Sequence, residues 1–169
     1  ARDSDFIKGL YSIQGEGSML AAEAVGTKHG MSVLDCCAAP GGKTAYIAER
    51  LEGTGRVYAW DLHAHRVELI RATMRRLHLD NVRVAARDAM QVRDEFLGSM
   101  DAVLFAVDGD GRSMPSAGVV ESQLNEAVEL IGKALPKATL VVGDGSLAGA
   151  LGMLEESRAD LERKLAFLL

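Results

Sequence analysis

Short apolar, β-branched runs alternating with segments of helical period predict an α/β fold on a doubly wound, mostly parallel sheet. Two observations sharpen this. A glycine-bearing loop follows the first apolar run directly, and aspartates close or follow the next two. In open α/β sheets ligands bind beyond the carboxyl ends of strands, so both features fall where a ligand site is expected.

The first 30 residues read as a helical or irregular lead-in, with a turn at Gly15-Glu16-Gly17-Ser18 ahead of an apolar segment at 19–25. Strands are predicted at 32–37, 56–61, 82–87, 102–108 and 139–143, each apolar enough to be buried on both faces. Helices are predicted at 43–51, 63–77, 91–98 and 119–135, with a long last helix over 147–168. Val67, Leu69, Ile70, Met74 and Leu77 supply the apolar face of the second helix, and Leu124, Val128, Ile131 and Leu135 that of the fourth. Right-handed crossovers then give about five strands in the order 3-2-1-4-5 with helices on both faces, a Rossmann-like arrangement. No linker, repeat or low-complexity tract divides the chain. A single domain over 1–169 is expected: lead-in over 1–30, α/β core over 31–145 and C-terminal helix over 146–169.

Composition is that of an ordinary globular protein, 48% hydrophobic and 25% charged over 169 residues. No apolar run reaches the roughly 20 residues that span a bilayer, and no basic-then-apolar leader is visible. Cys36 and Cys37 are adjacent in a predicted strand and point to opposite faces, which excludes a disulfide framework and makes a reducing, cytoplasmic setting the expectation. A net charge of −5 argues against gripping nucleic acid by bulk attraction. The charge is uneven, however: residues 62–99 hold seven arginines against five acids, and 100–169 hold six bases against eleven acids. The arginines suit either solvated helix faces or a local nucleic-acid contact.

The loop Cys37-Ala38-Ala39-Pro40-Gly41-Gly42-Lys43-Thr44 leads from a strand into a helix, presenting backbone N–H groups and the positive end of a helix dipole. Gly42-Lys43-Thr44 satisfies the second half of a phosphate-binding G-x-x-x-x-G-K-[ST] loop, but Cys37 stands at its first glycine and Pro40 stiffens it, so that reading is disfavoured. Asp61 ends the second strand, where a carboxylate can accept hydrogen bonds from ribose hydroxyls; Asp88 follows the third and can receive an adenine amino hydrogen. Taken singly, each acid serves equally well as a helix cap. Together with the loop they favour an adenosine-containing cofactor.

Leu34-Asp35-Cys36 and the loop through Thr44 match the family pattern "LDxCAAPGGKT". Gly55-Arg56-Val57-Tyr58-Ala59-Trp60-Asp61, Arg66, Arg76-Leu77, Asn81-Val82 and Asp88-Ala89 continue the match. The stretch 33–108 thus resembles the cofactor domain of the Fmu/Sun-type RNA 5-methylcytosine methyltransferases, and Gly9-Leu10-Tyr11-Ser12-Ile13-Gln14 with Ser18 resembles the segment ahead of that domain's first strand. The resemblance implies S-adenosyl-L-methionine as cofactor, with its methionine part at Ala38, Ala39, Pro40, Gly41, Gly42 and Lys43, its ribose on Asp61 and its adenine at Asp88. Cys37, Leu62, Arg66 and Ala89 complete the expected cofactor-binding set. It also implies RNA as partner.

The second half departs from that family. Methylation at C5 of cytosine needs a thiolate to add to C6, and a second cysteine helps release the product. Where the family has "DAPCSG" this chain has Ala106-Val107-Asp108-Gly109-Asp110-Gly111, and where it has "YSTCS" this chain has Val142-Gly143-Asp144-Gly145-Ser146. Gly109 and Gly145 thus stand at the two cysteine positions. Cys37 matches the motif's own cysteine and is read as a packing residue. Asp108, Asp110 and Asp144 crowd one predicted sheet edge, either as turns closing strands or as a general base or cation site. His29, His63, His65 and His78 lack a partner at ligand spacing, and no metal is assigned.

The sequence therefore predicts an S-adenosyl-L-methionine-binding domain impaired in cysteine-dependent C5 methylation, with no catalytic residue assigned and Asp108 and Asp144 the remaining candidates. Two other readings stay open. One is a non-catalytic or engineered α/β scaffold, and the other an N- or O-methyltransferase that uses a carboxylate base.

Overall fold

The computed structural model describes residues 3–89, 99–106 and 139–143. Along these run α1 (Ser4–Ile7), α2 (Glu16–Glu23), β1 (Ser32–Asp35), α3 (Gly42–Arg50), β2 (Arg56–Asp61), α4 (Ala64–Arg76), β3 (Val82–Ala86), β4 (Ala102–Ala106) and β5 (Thr139–Gly143). The strands form one sheet in the order β3-β2-β1-β4-β5, every neighbouring pair parallel. The predicted order is the order found. Asp35 lies beside Ala59 and Leu104, and Asp61 beside Ala86, so the carboxyl ends of these strands emerge along one edge.

Side chains alternate across the sheet, as the strand period requires. Val33, Val57, Ala59, Val82, Ala102 and Leu104 meet Ala21 and Ala22 of α2, Ile47 and Ala48 of α3, and Ile70 and Met74 of α4 on one face. Leu34, Trp60 and Val103 pack with Cys36 and Met100 on the other. The helices expected at 91–98, 119–135 and 147–168 lie outside the described residues. No helix among the described residues is long and apolar enough to cross a membrane.

Two expectations for the helices are corrected. Leu69 is 52% exposed, while Val67, Ile70, Met74 and Leu77 are buried. At 100° per residue Leu69 lies about 200° round the helix from Val67, off the buried stripe. The expected turn at Gly15-Glu16-Gly17-Ser18 is the opening of α2: Gly15 caps it in an extended conformation and its carbonyl accepts from Met19 N at 3.0 Å. The glycines and serine that suggested a turn are a helix entry.

Candidate functional site

The loop after β1 stays tied to both neighbouring strands beyond the strand's own end. Cys36 N donates to Leu104 O and Ala38 N to Trp60 O, each at 2.9 Å. Inside the bend lies Asp35, fully buried. Its Oδ2 accepts from Thr44 Oγ1 at 2.7 Å and its Oδ1 from Cys37 N at 3.3 Å. A buried carboxylate is tolerated when it is hydrogen-bonded, and here those bonds lash the end of β1 to the first turn of α3.

Ala38 and Ala39 are buried and Pro40, after a cis peptide bond, is exposed. The Pro40 carbonyl accepts from Thr73 Oγ1 of α4 at 3.0 Å. Gly41, with φ 110°, sits in the left-handed region against α4, where a Cβ would come 3.2 Å from Thr73 Cβ. The conformation calls for glycine, and the approach leaves little room for a side chain. Gly41 gives α3 no side-chain cap, so the helix turns its first N–H groups and the positive end of its dipole to the strand-end edge. Lys43 is buried at 2% exposure.

The thiol of Cys37 is pushed up to about 12, first by burial and then by the Asp35 carboxylate. Burial, with Cys37 and Asp35 beside it, raises Cys36 well above its ordinary value too. Neither is a ready thiolate, which agrees with a packing role for Cys37.

Asp61 is the second buried acid of the edge, 4% exposed. Its Oδ1 accepts from His63 N at 3.1 Å and its Oδ2 pairs with Arg66 at 3.5 Å. These contacts orient the carboxylate without exhausting its lone pairs. Leu62 beside it is 62% exposed, an apolar surface next to a polar anchor. Arg66 is exposed, and Asp88 and Ala89 are half-buried just past β3. Arg87 N still donates to Asp61 O at 3.0 Å, which joins that segment to the same edge.

The predicted set Cys37, Ala38, Ala39, Pro40, Gly41, Gly42, Lys43, Asp61, Leu62, Arg66, Asp88 and Ala89 thus falls at the carboxyl ends of three adjacent strands and on the loops and first helical turns that follow them. Asp108, Gly109, Asp110, Asp144 and Gly145 lie outside the described residues. Among the described residues, no three His, Cys, Asp or Glu side chains gather as a metal site would require. Sequence reasoning left Asp35, Thr44, Thr73 and Gln14 out of the site set. Asp35 carried a signal, a carboxylate closing a buried strand, and Thr44 sat in the quoted motif. Thr73 carried none, and Gln14 stood in the matched lead-in segment with nothing to tie it to the loop.

A model of the family described as 16S rRNA methyltransferase RsmB/F matches residues 22–114, more than half of the chain. The chain is 45% identical over 91 residues to the probable ribosomal RNA small subunit methyltransferase B of Bacillus subtilis, a match covering 54% of this chain and 20% of the relative. It is 33% identical over 112 residues to the mouse 28S rRNA (cytosine-C(5))-methyltransferase, covering 66% of this chain and 14% of the relative. The matched part is thus a fifth or less of either relative's length. Among solved structures, a methyltransferase homolog protein from Pyrococcus horikoshii superposes with a TM-score of 0.71 at 28% identity, over 82% of this chain and 47% of the other.

Proposed function

Because the chain belongs to the RsmB/F family of 16S rRNA methyltransferases, we propose that its strand-end edge binds S-adenosyl-L-methionine as part of an RNA cytosine-C5 methyltransferase fold, with the cysteine-dependent step impaired. The observation that carries the reading is the pairing of two built elements on one edge. These are the post-β1 loop, lashed by Asp35 to Thr44, and the oriented, buried carboxylate of Asp61. The residues suit the cofactor: the Asp61 carboxylate accepts ribose hydroxyls, Leu62 offers apolar surface to the adenine, and the α3 N-terminus favours the methionine carboxylate. When bound, the cofactor supplies an activated methyl group on a sulfonium. The protein's own part in the expected reaction, one thiolate to attack C6 of cytosine and a second cysteine to help release the product, falls at positions where this chain has Gly109 and Gly145. A hydrogen cannot replace that nucleophile, and the raised thiol of Cys37 does not substitute for it.

Calorimetry with S-adenosyl-L-methionine tests the first part: binding is expected, weakened ~10- to 100-fold by Asp61→Ala, in line with loss of charged hydrogen bonds. No binding by the unaltered protein removes the reading. Incubation with methyl-labelled cofactor and cytosine-containing RNA tests the second. No 5-methylcytosine is expected, and its appearance overturns the impairment.

A further inference from the structure

One face of α4 organises both sides of the cofactor loop. Thr73 holds the Pro40 carbonyl and packs against Gly41. Arg76, one turn later on the same face, reaches the lead-in. Its Nη1 donates to Phe6 O at 2.8 Å and Tyr11 O at 2.9 Å, its Nη2 to Ser12 Oγ at 3.2 Å, and its guanidinium lies over the Phe6 ring at 3.9 Å. Segment 8–15 has no helix or ladder of its own to satisfy its carbonyls, so these bonds fix its course. Gly9 lets it lie flat: a Cβ there would come 1.8 Å from the Arg76 carbonyl oxygen. His78 Nε2 meets Lys8 O at 3.2 Å, and Tyr11 donates to Asp3 at 2.7 Å, which secures the start of the segment.

The pinned strap ends at Gln14. Its Nε2 donates to Ser18 Oγ at 2.8 Å, in the first turn of α2. Its side chain covers Gly42, where an added Cβ would meet Gln14 Cδ at 3.3 Å. Gln14 thus fills the space that a side chain at the first residue of α3 would take.

We propose that Arg76 and Gln14 are positioning residues of the cofactor loop: Arg76 seats the strap, and Gln14, at its end, buttresses Gly42, next to the Gly41 that Thr73 packs against. This rests on the cofactor reading above, since it is the methionine end of the site that the buttress would preorganise. Gly42 belongs to the loop expected at the methionine end of the cofactor, so the buttress bears on affinity for that end. A loop held between two supports loses less freedom when a ligand binds, and removing one support weakens binding without touching a ligand contact.

The test uses Gln14→Ala, Arg76→Ala and Arg76→Lys, read by amide exchange of the ligand-free protein and by calorimetry with S-adenosyl-L-methionine and with adenosine. Exchange at residues 42–45 should quicken while that of β2 stays as it is. S-adenosyl-L-methionine should bind ~5- to 10-fold more weakly, as expected for a lost preorganising contact, and adenosine, which lacks the methionine part, equally well. Arg76→Lys, which keeps the charge but not the fork of donors, should fall between. Gln14→Ala decides the matter if Arg76→Ala does not fold. Unchanged exchange at 42–45, or equal loss for both ligands, overturns the proposal. Failure of the unaltered protein to bind S-adenosyl-L-methionine overturns the cofactor reading instead, and the exchange result still decides the buttress.

Discussion

The loop after β1 and the turn after β2 stand side by side on one sheet edge, yet they are built in opposite ways. Beyond the nearer Asp35–Thr44 bond, the loop is closed by partners remote in sequence: Ala38 by Trp60, Pro40 by Thr73, Gly42 by Gln14. The turn's carboxylate is held by its own neighbours, His63 N–H and Arg66, and only the backbone reaches further, Asp61 O accepting from Arg87 N. Leu62 at its tip is 62% exposed. The shape of the loop therefore depends on the wider fold, whereas the aim of the Asp61 carboxylate is set within residues 61–66. Damage to the loop should spread into stability, whereas damage to the turn should stay with the ligand.

Asp35→Ala breaks the loop most directly. It strips an acceptor from the Thr44 hydroxyl and the Cys37 N–H in a fully buried place. A loss of about 3 kcal/mol in a urea titration is expected, typical of a broken buried network. Asp35→Asn, which keeps one carbonyl acceptor, should recover part of it. A loss near zero for Asp35→Ala would collapse the distinction between loop and turn. Asp61→Ala sharpens it from the other side: its Arg66 partner is 45% exposed, so stability should move by under about 1 kcal/mol while cofactor affinity falls. Thr73→Val is milder. It preserves shape and removes only the bond to Pro40 O, so about 1 kcal/mol of stability is expected to go.

Much of the frame was legible because its signals are local. Period-2 and period-3.6 patterns placed β2 and β5 at their observed bounds and α3 and α4 to within one residue at each end. Asp61 and Asp88 could be picked out because acids at strand ends are conspicuous against apolar runs. Leu69 was assigned to the core because its hydrophobicity is plain and its angle is not. The supports of the loop were not legible. Thr73 meets Pro40 across 33 residues and Arg76 meets Phe6 across 70, on a helix whose polar face looks like any solvated one. Arg76 stands in the matched Arg76-Leu77 pair, yet nothing in the sequence ties it or Thr73 to the loop until the topology brings its partner alongside. The readings at 108–111 and 144–146 rest on the sequence alone.

Near neutral pH the smallest expected effect belongs to Cys37, and its sign at higher pH follows from its surroundings. Its thiol ionises at about 12 against an ordinary 9.0, because burial and the Asp35 carboxylate oppose a thiolate. An unfolded chain therefore gives up that proton at lower pH than the folded one. Whatever the neutral thiol contributes is fully present below about pH 9 and is lost as pH rises toward 12. Denaturation midpoints of the unaltered protein should fall across that window more steeply than those of Cys37→Ala, with the two curves parallel below it. Alkylation of Cys37 by iodoacetamide at pH 8 should be far slower in the folded protein than in urea, since the thiolate is the reacting form. Rapid alkylation of the native chain at that pH would mean that the loop opens readily. The remote supports would then hold it no more firmly than the local turn beside it holds Asp61.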